Sequence, residues 1–159
     1  MAALEYEIGE LLKRKGLTLG AVESATGGLI AHLVTGVPGC SDYFKGSVVS
    51  YSNEVKVGVI GVKAATLNKY GAVSAQVAME MAAGGKKLLK VDICIADTGI
   101  AGPGCATPGK PVGLFYLGLA SGDGTFSRKH EFHGERAQNK QSAAQAALKW
   151  LKEYLVGME

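Results

Sequence analysis

The sequence predicts an α/β protein, a single three-layer α/β/α domain with a mixed, mostly parallel sheet. Over the first two-thirds of the chain, segments with a helical spacing of apolar residues alternate with short apolar segments typical of buried strands. Strands separated by helices pair in parallel, whereas a glycine-rich turn near the end of the chain predicts an antiparallel hairpin. The length of 159 residues fits one domain covering residues 1–159.

The helices are predicted from apolar spacing and from capping residues. Apolar side chains in the first segment share one helical face, and Gly16 behind a basic stretch is a typical helix end. Ser74 is a suitable N-cap for a long helix, and Ser52 or Asn53 for a short one. The predicted helices cover residues 4–15, 29–34, 54–57, 64–69, 75–89 and 137–155.

The strands are predicted from short apolar or alternating segments. The segment 91–98 reads VDICIADT and has the character of a fully buried strand. The turn Ser-Gly-Asp-Gly at 121–124 joins the last two strands. The predicted strands cover residues 17–22, 46–51, 91–98, 112–120 and 125–133. Ligands of such sheets usually bind beyond the carboxyl ends of the strands.

Composition excludes several classes of protein. The net charge is only +3 and aromatic residues are 7%, which argues against a nucleic-acid-binding protein. No apolar run is long enough for a membrane span, and the first residues lack the pattern of a signal peptide, so a cytoplasmic protein is expected. The three cysteines show neither disulfide nor zinc spacing. His130 and His133 lie on opposite faces of a predicted strand, so no metal site is expected.

Glycine is unusually frequent, with 23 residues, and three glycine-containing corners follow predicted strands. At the first corner, Ser24 precedes Gly27 and Gly28, which begin a helix. A serine beside the free N–H groups of a helix start resembles a nucleophile placed at its own oxyanion hole. The alternative is that Ser24 or Thr26 simply caps the helix.

The second corner places Lys56 about one turn into a short helix that follows Tyr51. A lysine that loses its proton can serve as the base for a serine nucleophile. The alternative is an ordinary solvated lysine. The third corner, residues 97–111, is long and rich in glycine, which is typical of a binding loop. Its Cys105 has no histidine nearby in the sequence to act as a base, so it is a weak candidate for a nucleophile.

A fourth candidate is Arg136, which lies between the last strand and the last helix. Arginine at a helix start can hold a phosphate or carboxylate through two hydrogen bonds. Lys140 lies one turn later on the same face and favours an anion site with two cations. The alternative is a surface arginine.

Taken together, four ordered motifs resemble the CinA C-terminal domain family, from about Leu11 to Leu151. The motifs are ESATGG at 23–28, GSVVSYSNEVK at 46–56 with YGAVS downstream, TGIAGPG with TPGKPVG at 98–113, and GER at 134–136. The family includes nicotinamide mononucleotide deamidases. The resemblance implies an α/β/α serine amidohydrolase that converts nicotinamide mononucleotide to nicotinic acid mononucleotide and ammonia in pyridine nucleotide recycling. It also implies a homodimer or larger oligomer, without a metal or organic cofactor.

The resemblance assigns roles to individual residues. Ser24 is the implied nucleophile and Lys56 the base, while Tyr51 and Thr98 orient this pair or the amide. The oxyanion is held by backbone N–H groups of Thr26, Gly27 and Gly28, or of Gly99, Ala101 and Gly102. The nucleotide pocket is lined by Asn53, Thr107 and Lys110, and the phosphate meets Arg136, with Lys140 beside it.

The sequence departs from the family pattern in two places. Cys105 and Ala106 stand where the family usually has glycine, and Asn139 and Lys140 stand where an apolar residue and an arginine are usual. Lysine keeps the charge but not the two-pronged hydrogen bonding of arginine. Two alternatives to an active mononucleotide amidohydrolase therefore stay open. One is a nucleotide-binding or regulatory protein without catalysis, and the other is an amidase for a different small amide.

Overall fold

The computed structural model describes residues 3–158 and contains one five-stranded sheet. The strands are β1 (Leu19–Glu23), β2 (Phe44–Val49), β3 (Ile93–Gly99), β4 (Leu114–Ser121) and β5 (Gly124–Glu131), in the spatial order β2-β1-β3-β4-β5. β1 pairs in parallel with β2 and β3, whereas β4 is antiparallel to both β3 and β5. Only β4 therefore runs against the other strands. The predicted mixed sheet is confirmed and most of its strands share one direction, although half of its pairings are antiparallel.

The helices lie close to their predicted positions. They are α1 (Leu4–Lys15), α2 (Leu29–Thr35), α3 (Asn53–Val55), α4 (Ala64–Tyr70), α5 (Ala75–Leu89) and α6 (Arg136–Gly157). Gly16 ends α1 at φ 65°, and the Ser74 hydroxyl accepts a hydrogen bond from the Val77 N–H at 3.2 Å, as the capping pattern predicts. Of the helices within residues 3–158, none has both the length and the apolar character needed to cross a bilayer.

Two predicted elements differ from the structure. The strand expected at 46–51 lies at 44–49, because Ser50 and Tyr51 leave the sheet and turn their carbonyl oxygens toward Lys56. The helix expected at 54–57 is divided into the single turn α3 and a π-helical turn, Lys56–Ile60. Both differences lie at the second corner, where local propensity yields to tertiary contacts.

Two apolar cores hold helices on the opposite faces of the sheet, as the predicted α/β/α layers require. On one face, α1, α2 and α6 pack on alternate residues of the central strands, such as Leu19, Ile95 and Leu117. On the other face, α5 packs on the intervening residues, such as Val22 and Ala96. This alternation is what period-two side-chain direction produces in a strand buried on both faces.

The sheet brings the candidate site together at one edge. β1, β2 and β3 are parallel, so their carboxyl ends lie side by side. Ser24 follows β1, Ser50 follows β2, and Thr98 and Gly99 end β3. β5 has the same direction, and α6 begins shortly after it with Arg136. Residues distant in the sequence therefore meet at the edge where α/β sheets bind ligands.

Candidate active site

Ser24 and Lys56 form a buried pair at the carboxyl edge of the sheet. The Nζ atom of Lys56 lies 2.9 Å from the Oγ atom of Ser24. Lys56 is only 1% exposed, and Ser24 is 7% exposed. The interpretation of Lys56 as a solvated lysine is therefore wrong. Ser24 does not cap α2 either, since its hydroxyl is occupied with Lys56 and a different side chain satisfies the start of that helix.

The π-helical turn directs Lys56 toward the interior. Within this turn Lys56 and Ile60 are buried, whereas Val57 and Val59 are exposed. This is the reverse of an ordinary surface helix, in which the lysine lies outside and the valines inside. Ser52 starts the segment by accepting a hydrogen bond from the Val55 N–H at 3.2 Å. Single π-helical turns are frequent at functional sites, and here the turn delivers an amine to Ser24.

The surroundings of Lys56 suit a neutral amine. Its Nζ atom donates to the carbonyl oxygens of Ser50 at 2.7 Å and Tyr51 at 2.9 Å. A neutral amine has two N–H groups for these carbonyls and one lone pair, which then faces the Ser24 hydroxyl. Burial lowers the pKa of Lys56, and the nearby Asp97 opposes that change. Burial therefore shifts Lys56 toward the form that can accept a proton.

Asp97 fixes the turn that carries Ser24. Its two carboxyl oxygens accept hydrogen bonds from the backbone N–H groups of Ser24 and Thr26, each at 3.1 Å. Asp97 has no exposed surface, and burial raises its pKa, whereas its hydrogen bonds from Thr26 and Ser24 favour the charged form. β3 thus holds the backbone of the β1 corner in place through one buried side chain.

Glu23 satisfies the N-terminus of α2. Its carboxylate accepts from the N–H groups of Gly28 at 3.2 Å, Ile30 at 2.8 Å and Ala31 at 3.2 Å. The Thr26 N–H is bound to Asp97, and the Gly27 N–H is bound to the Ser24 carbonyl at 3.1 Å. The N–H groups of Thr26, Gly27 and Gly28 thus already have acceptors, which an oxyanion held there would have to replace.

Two cavities are lined by residues of the first and third corners and of α6, and neither Ser24 nor Lys56 is among their lining residues. The larger has a volume of about 630 Å³ and is lined by Thr26, Gly27, Gly28, Leu29, His32, Arg136, Ala137 and Lys140. The second, of about 550 Å³, includes Ala101 and Gly102 on its wall and shares Arg136 with the first. These volumes are within the usual range for small-molecule sites. The predicted ligand-binding positions Thr26, Gly27, Gly28 and Lys140 thus share one cavity.

Arg136 separates the two cavities and connects two corners. Its guanidinium donates to the Gly102 carbonyl at 2.8 Å and to the Tyr51 hydroxyl at 3.2 Å. Lys140 lies on the same side, with its Nζ about 3.5 Å from the point where a Cβ on Gly27 would lie. Gly27 has a φ of 61°, and this backbone conformation favours glycine.

Several predicted site residues lie elsewhere or act differently. Thr98 does not orient the pair, because its hydroxyl donates to the Ala72 carbonyl at 2.8 Å. Lys110 donates to the Tyr70 carbonyl at 2.6 Å, at the end of α4, and does not line either cavity. Thr107 pairs its backbone with Lys110 in an exposed loop, and Asn53 lines a separate groove near α4. Asn53, Thr107 and Lys110 thus lie outside both cavities, and their contacts with a nucleotide stay a prediction.

Two other predicted site residues, Tyr51 and Gly99, make only some of the contacts expected of them, and Cys105 lies apart from the site. Tyr51 contacts Lys56 through its backbone carbonyl, while its side chain is 60% exposed and meets Arg136. Gly99 ends β3 against the Phe115 ring, which leaves no space for a side chain. Cys105 is exposed at a φ of 73° and lies outside both cavities. The Cys105 side chain, which stands where the family usually has glycine, therefore does not occupy space in either cavity.

Asn139 is a site residue that sequence analysis treated only as a departure. Its side-chain amide donates to the carbonyls of Ala101 at 3.0 Å and Gly134 at 2.9 Å, and its oxygen accepts from the Gly134 N–H at 2.9 Å. It is 1% exposed. Asn139 thus ties the third corner to the start of α6. The signal in the sequence is that Asn139 closely follows the polar loop before α6, because an asparagine there can bind the backbone of that loop.

Replacing Asn139 by alanine is expected to weaken the fold. The change leaves two carbonyls and one N–H without partners in a buried place, which costs about 2–3 kcal/mol of unfolding free energy. Urea unfolding would measure the loss. Gln141→Ala is the matched control on the exposed face of the same helix, where no change is expected. Equal stability of the two variants would contradict the structural role of Asn139.

Comparison with known proteins agrees with these motifs. Residues 1–155 match the sequence profile of the CinA C-terminal domain. A CinA-like protein of Salinibacter ruber is 46% identical over 145 residues, which are 91% of this chain and 35% of that protein. A CinA-like protein of Chloroherpeton thalassium is 46% identical over 156 residues, 96% of this chain and 37% of that protein. The chain therefore spans little more than a third of the length of these curated relatives.

Solved structures show the same fold. Competence damage-inducible protein A of Klebsiella pneumoniae superposes with a TM-score of 0.95 at 31% identity, covering 98% of this chain and 97% of that chain. The competence/damage inducible protein CihA of Agrobacterium tumefaciens superposes with a TM-score of 0.85 at 34% identity, covering 95% and 97%. With nearly the whole sequence matched by the family profile, the chain belongs to the CinA C-terminal domain family.

Proposed function

We propose that this chain is a serine amidohydrolase in which Ser24 is the nucleophile and Lys56 its base. The observation that carries the proposal is the buried 2.9 Å contact between the Lys56 amine and the Ser24 hydroxyl. As Lys56 takes the proton, the Ser24 oxygen bonds to the amide carbon. The C–N bond then breaks, ammonia leaves with the proton from Lys56, and water hydrolyses the resulting ester. This sequence of steps uses no metal or organic cofactor.

Backbone N–H groups near Ser24 support the same reaction. Among the residues that the structure describes, the N–H groups of Ala25, Ala101 and Gly102 have no acceptor. The residue after the nucleophile often supplies one oxyanion donor, which favours Ala25 for this role. Ala101 and Gly102 belong to the alternative donor set that the sequence predicts. We propose that the oxyanion is held by Ala25 together with this loop.

The proposed substrate is nicotinamide mononucleotide, which would yield nicotinic acid mononucleotide. Support comes from the larger cavity, where Arg136 and Lys140 place two cations beside His32. Paired cations suit a phosphate monoester, and arginine can bind it through two hydrogen bonds. The Arg136 guanidinium donates to Gly102 and Tyr51, so a phosphate would take over at least one of these donors.

The test of the proposal is ammonia release from nicotinamide mononucleotide by the wild type and by Ser24→Ala. Turnover by the wild type is expected, with a loss of about 10⁴-fold or more in the variant, because the nucleophile is absent. Thr35→Ala removes an exposed hydroxyl on α2 and is the matched control, expected to keep the wild-type rate. Equal turnover by Ser24→Ala would overturn the assignment of the nucleophile. Turnover of another amide alone would overturn the substrate, and binding without turnover would indicate a regulatory protein.

A further inference from the structure

The hydroxyl of Thr26 lies between two buried carboxyl groups. Its Oγ1 atom is 2.8 Å from Oε1 of Glu23 and 2.5 Å from Oδ1 of Asp97. A hydroxyl has one proton and can donate to only one of these oxygens. The second contact is a hydrogen bond only if that carboxyl group itself carries a proton and donates to Thr26. For both contacts to be hydrogen bonds, one of the two carboxyl groups must therefore be protonated.

The partners of Glu23 indicate that it carries the negative charge. Besides the N–H groups at the start of α2, it accepts from the Ser47 hydroxyl at 2.9 Å. All these partners are donors, and the N-terminus of a helix favours an anion. Asp97 has no such helix end and accepts only from the backbone of the Ser24 turn besides Thr26. The extra proton therefore belongs to Asp97.

A protonated Asp97 satisfies each of its contacts. Its Oδ2 accepts from the Thr26 N–H, while the hydroxyl at Oδ1 donates to the Thr26 oxygen and still accepts from the Ser24 N–H. An asparagine cannot do the same, because an amide nitrogen at the Oδ1 position has no lone pair for the Ser24 N–H. An ionised aspartate would instead compete with Glu23 for one hydroxyl proton.

We propose that Glu23 and Asp97 hold one proton between them, carried by Asp97 and donated to the Thr26 hydroxyl, and that the uncharged Asp97 is a positioning residue for Ser24. The effect on the reaction rests on the proposed function, whereas the shared proton does not. A neutral Asp97 fixes the Ser24 turn without placing a second negative charge beneath the atoms where the oxyanion forms.

The neutral state of Asp97 also affects Lys56. Two titratable groups face Asp97: Glu23, at the end of the neighbouring strand β1, and Lys56, on the π-helical turn. On its other side, β4 pairs the apolar Leu117 with Asp97. An ionised Asp97 would hold a proton on Lys56 and weaken it as a base. A proton on Asp97 removes that influence, and burial of Asp97 acts in the same direction by raising its pKa.

The shared proton can be tested directly by a carboxyl carbon NMR titration of the complete chain labelled at aspartate and glutamate. The Asp97 signal is assigned by its loss in Asp97→Asn. A titration midpoint for Asp97 above neutral pH is expected, so that its carboxyl group stays protonated there. A midpoint below neutral pH, with both carboxyl groups ionised at neutral pH, would overturn the proposal. This readout holds whether or not the chain proves to be an amidohydrolase.

The positioning role is tested by the pH profile of kcat/KM for Asp97→Asn. The rate is expected to fall about tenfold, because the Ser24 N–H loses its acceptor. The acidic limb, which reports Lys56, is expected to stay at the same pH, since no charge is removed. A shift of that limb to lower pH would show that Asp97 is ionised in the wild type and would overturn the proposal.

The matched control for this variant is Asp92→Asn. Asp92 accepts from the N–H and the hydroxyl of Thr18 at 2.8 and 3.0 Å, so it also contacts both polar groups of one threonine, but at the opposite end of β3. The control is expected to keep both the rate and the profile of the wild type. A tenfold loss in Asp92→Asn as well would mean that the fall in Asp97→Asn reflects general weakening of the sheet, and it would overturn the positioning role.

Discussion

Replacing Lys56 by arginine is expected to reduce kcat/KM by about 10³-fold or more, the usual scale for removing a general base. Arginine keeps the positive charge and can still donate to the carbonyls of Ser50 and Tyr51. It does not release its proton at accessible pH, so it cannot accept one from Ser24. Lys56→Met is expected to lose activity to the same extent, because it has no basic group.

The two substitutions together separate basicity from charge. Ammonia release measured from low to high pH is expected to show a wild-type acidic limb that is absent in both variants. Lys45→Arg changes an exposed lysine on β2 and is expected to behave as the wild type. If Lys56→Arg kept the wild-type rate, Lys56 would act only through its charge, and Ser24 would need another base.

Glu23→Ala is expected to have the largest effect on stability, a loss of about 3–5 kcal/mol of unfolding free energy. The change removes the acceptor of three N–H groups at the start of α2 and of the Ser47 and Thr26 hydroxyls. Within residues 3–158, the three N–H groups and the Ser47 hydroxyl have no acceptor other than Glu23. The Thr26 hydroxyl also contacts Asp97. For a chain of this size the midpoint of thermal unfolding would fall by about 10 °C.

A series of variants identifies the cause of that loss. Glu23→Gln keeps the shape and one acceptor oxygen, so a smaller loss is expected in urea unfolding. Glu54→Ala removes an exposed glutamate from the first turn of α3 and is expected to change stability by less than about 0.5 kcal/mol. Equal losses for Glu23→Ala and Glu54→Ala would contradict the capping role of Glu23.

The parts of the site that sequence could predict are those that depend on topology. Alternating helices and strands indicated parallel pairing, and parallel pairing places the carboxyl ends of β1, β2 and β3 together. The corners that contain Ser24 and Lys56 are therefore neighbours for a reason visible in the sequence. Caps such as Ser74 were predictable because their partners lie within the same turn.

The parts that sequence could not predict depend on contacts between distant buried groups. Asp97 meets Ser24 across 73 positions of the chain, and its strand reads as apolar on both sides. No local propensity indicates the π-helical turn that directs Lys56 inward. The loop at 102–111 pairs Thr107 with Lys110, and the Lys110 amine donates to the Tyr70 carbonyl at the end of α4, a contact that no local pattern in the sequence indicates.

The burial of Lys56 lowers the stability of the fold, so natural selection for activity and for stability would act in opposite directions at this position. In the unfolded chain this amine has its ordinary pKa of 10.5, whereas in the folded chain burial lowers it. Unfolding therefore takes up a proton at any pH between the lowered pKa and 10.5, and the stability penalty disappears as the pH rises through this window. A chain with an apolar residue at position 56 would escape this penalty. A population selected only for a robust fold would lose Lys56, so its persistence would record demand for the reaction.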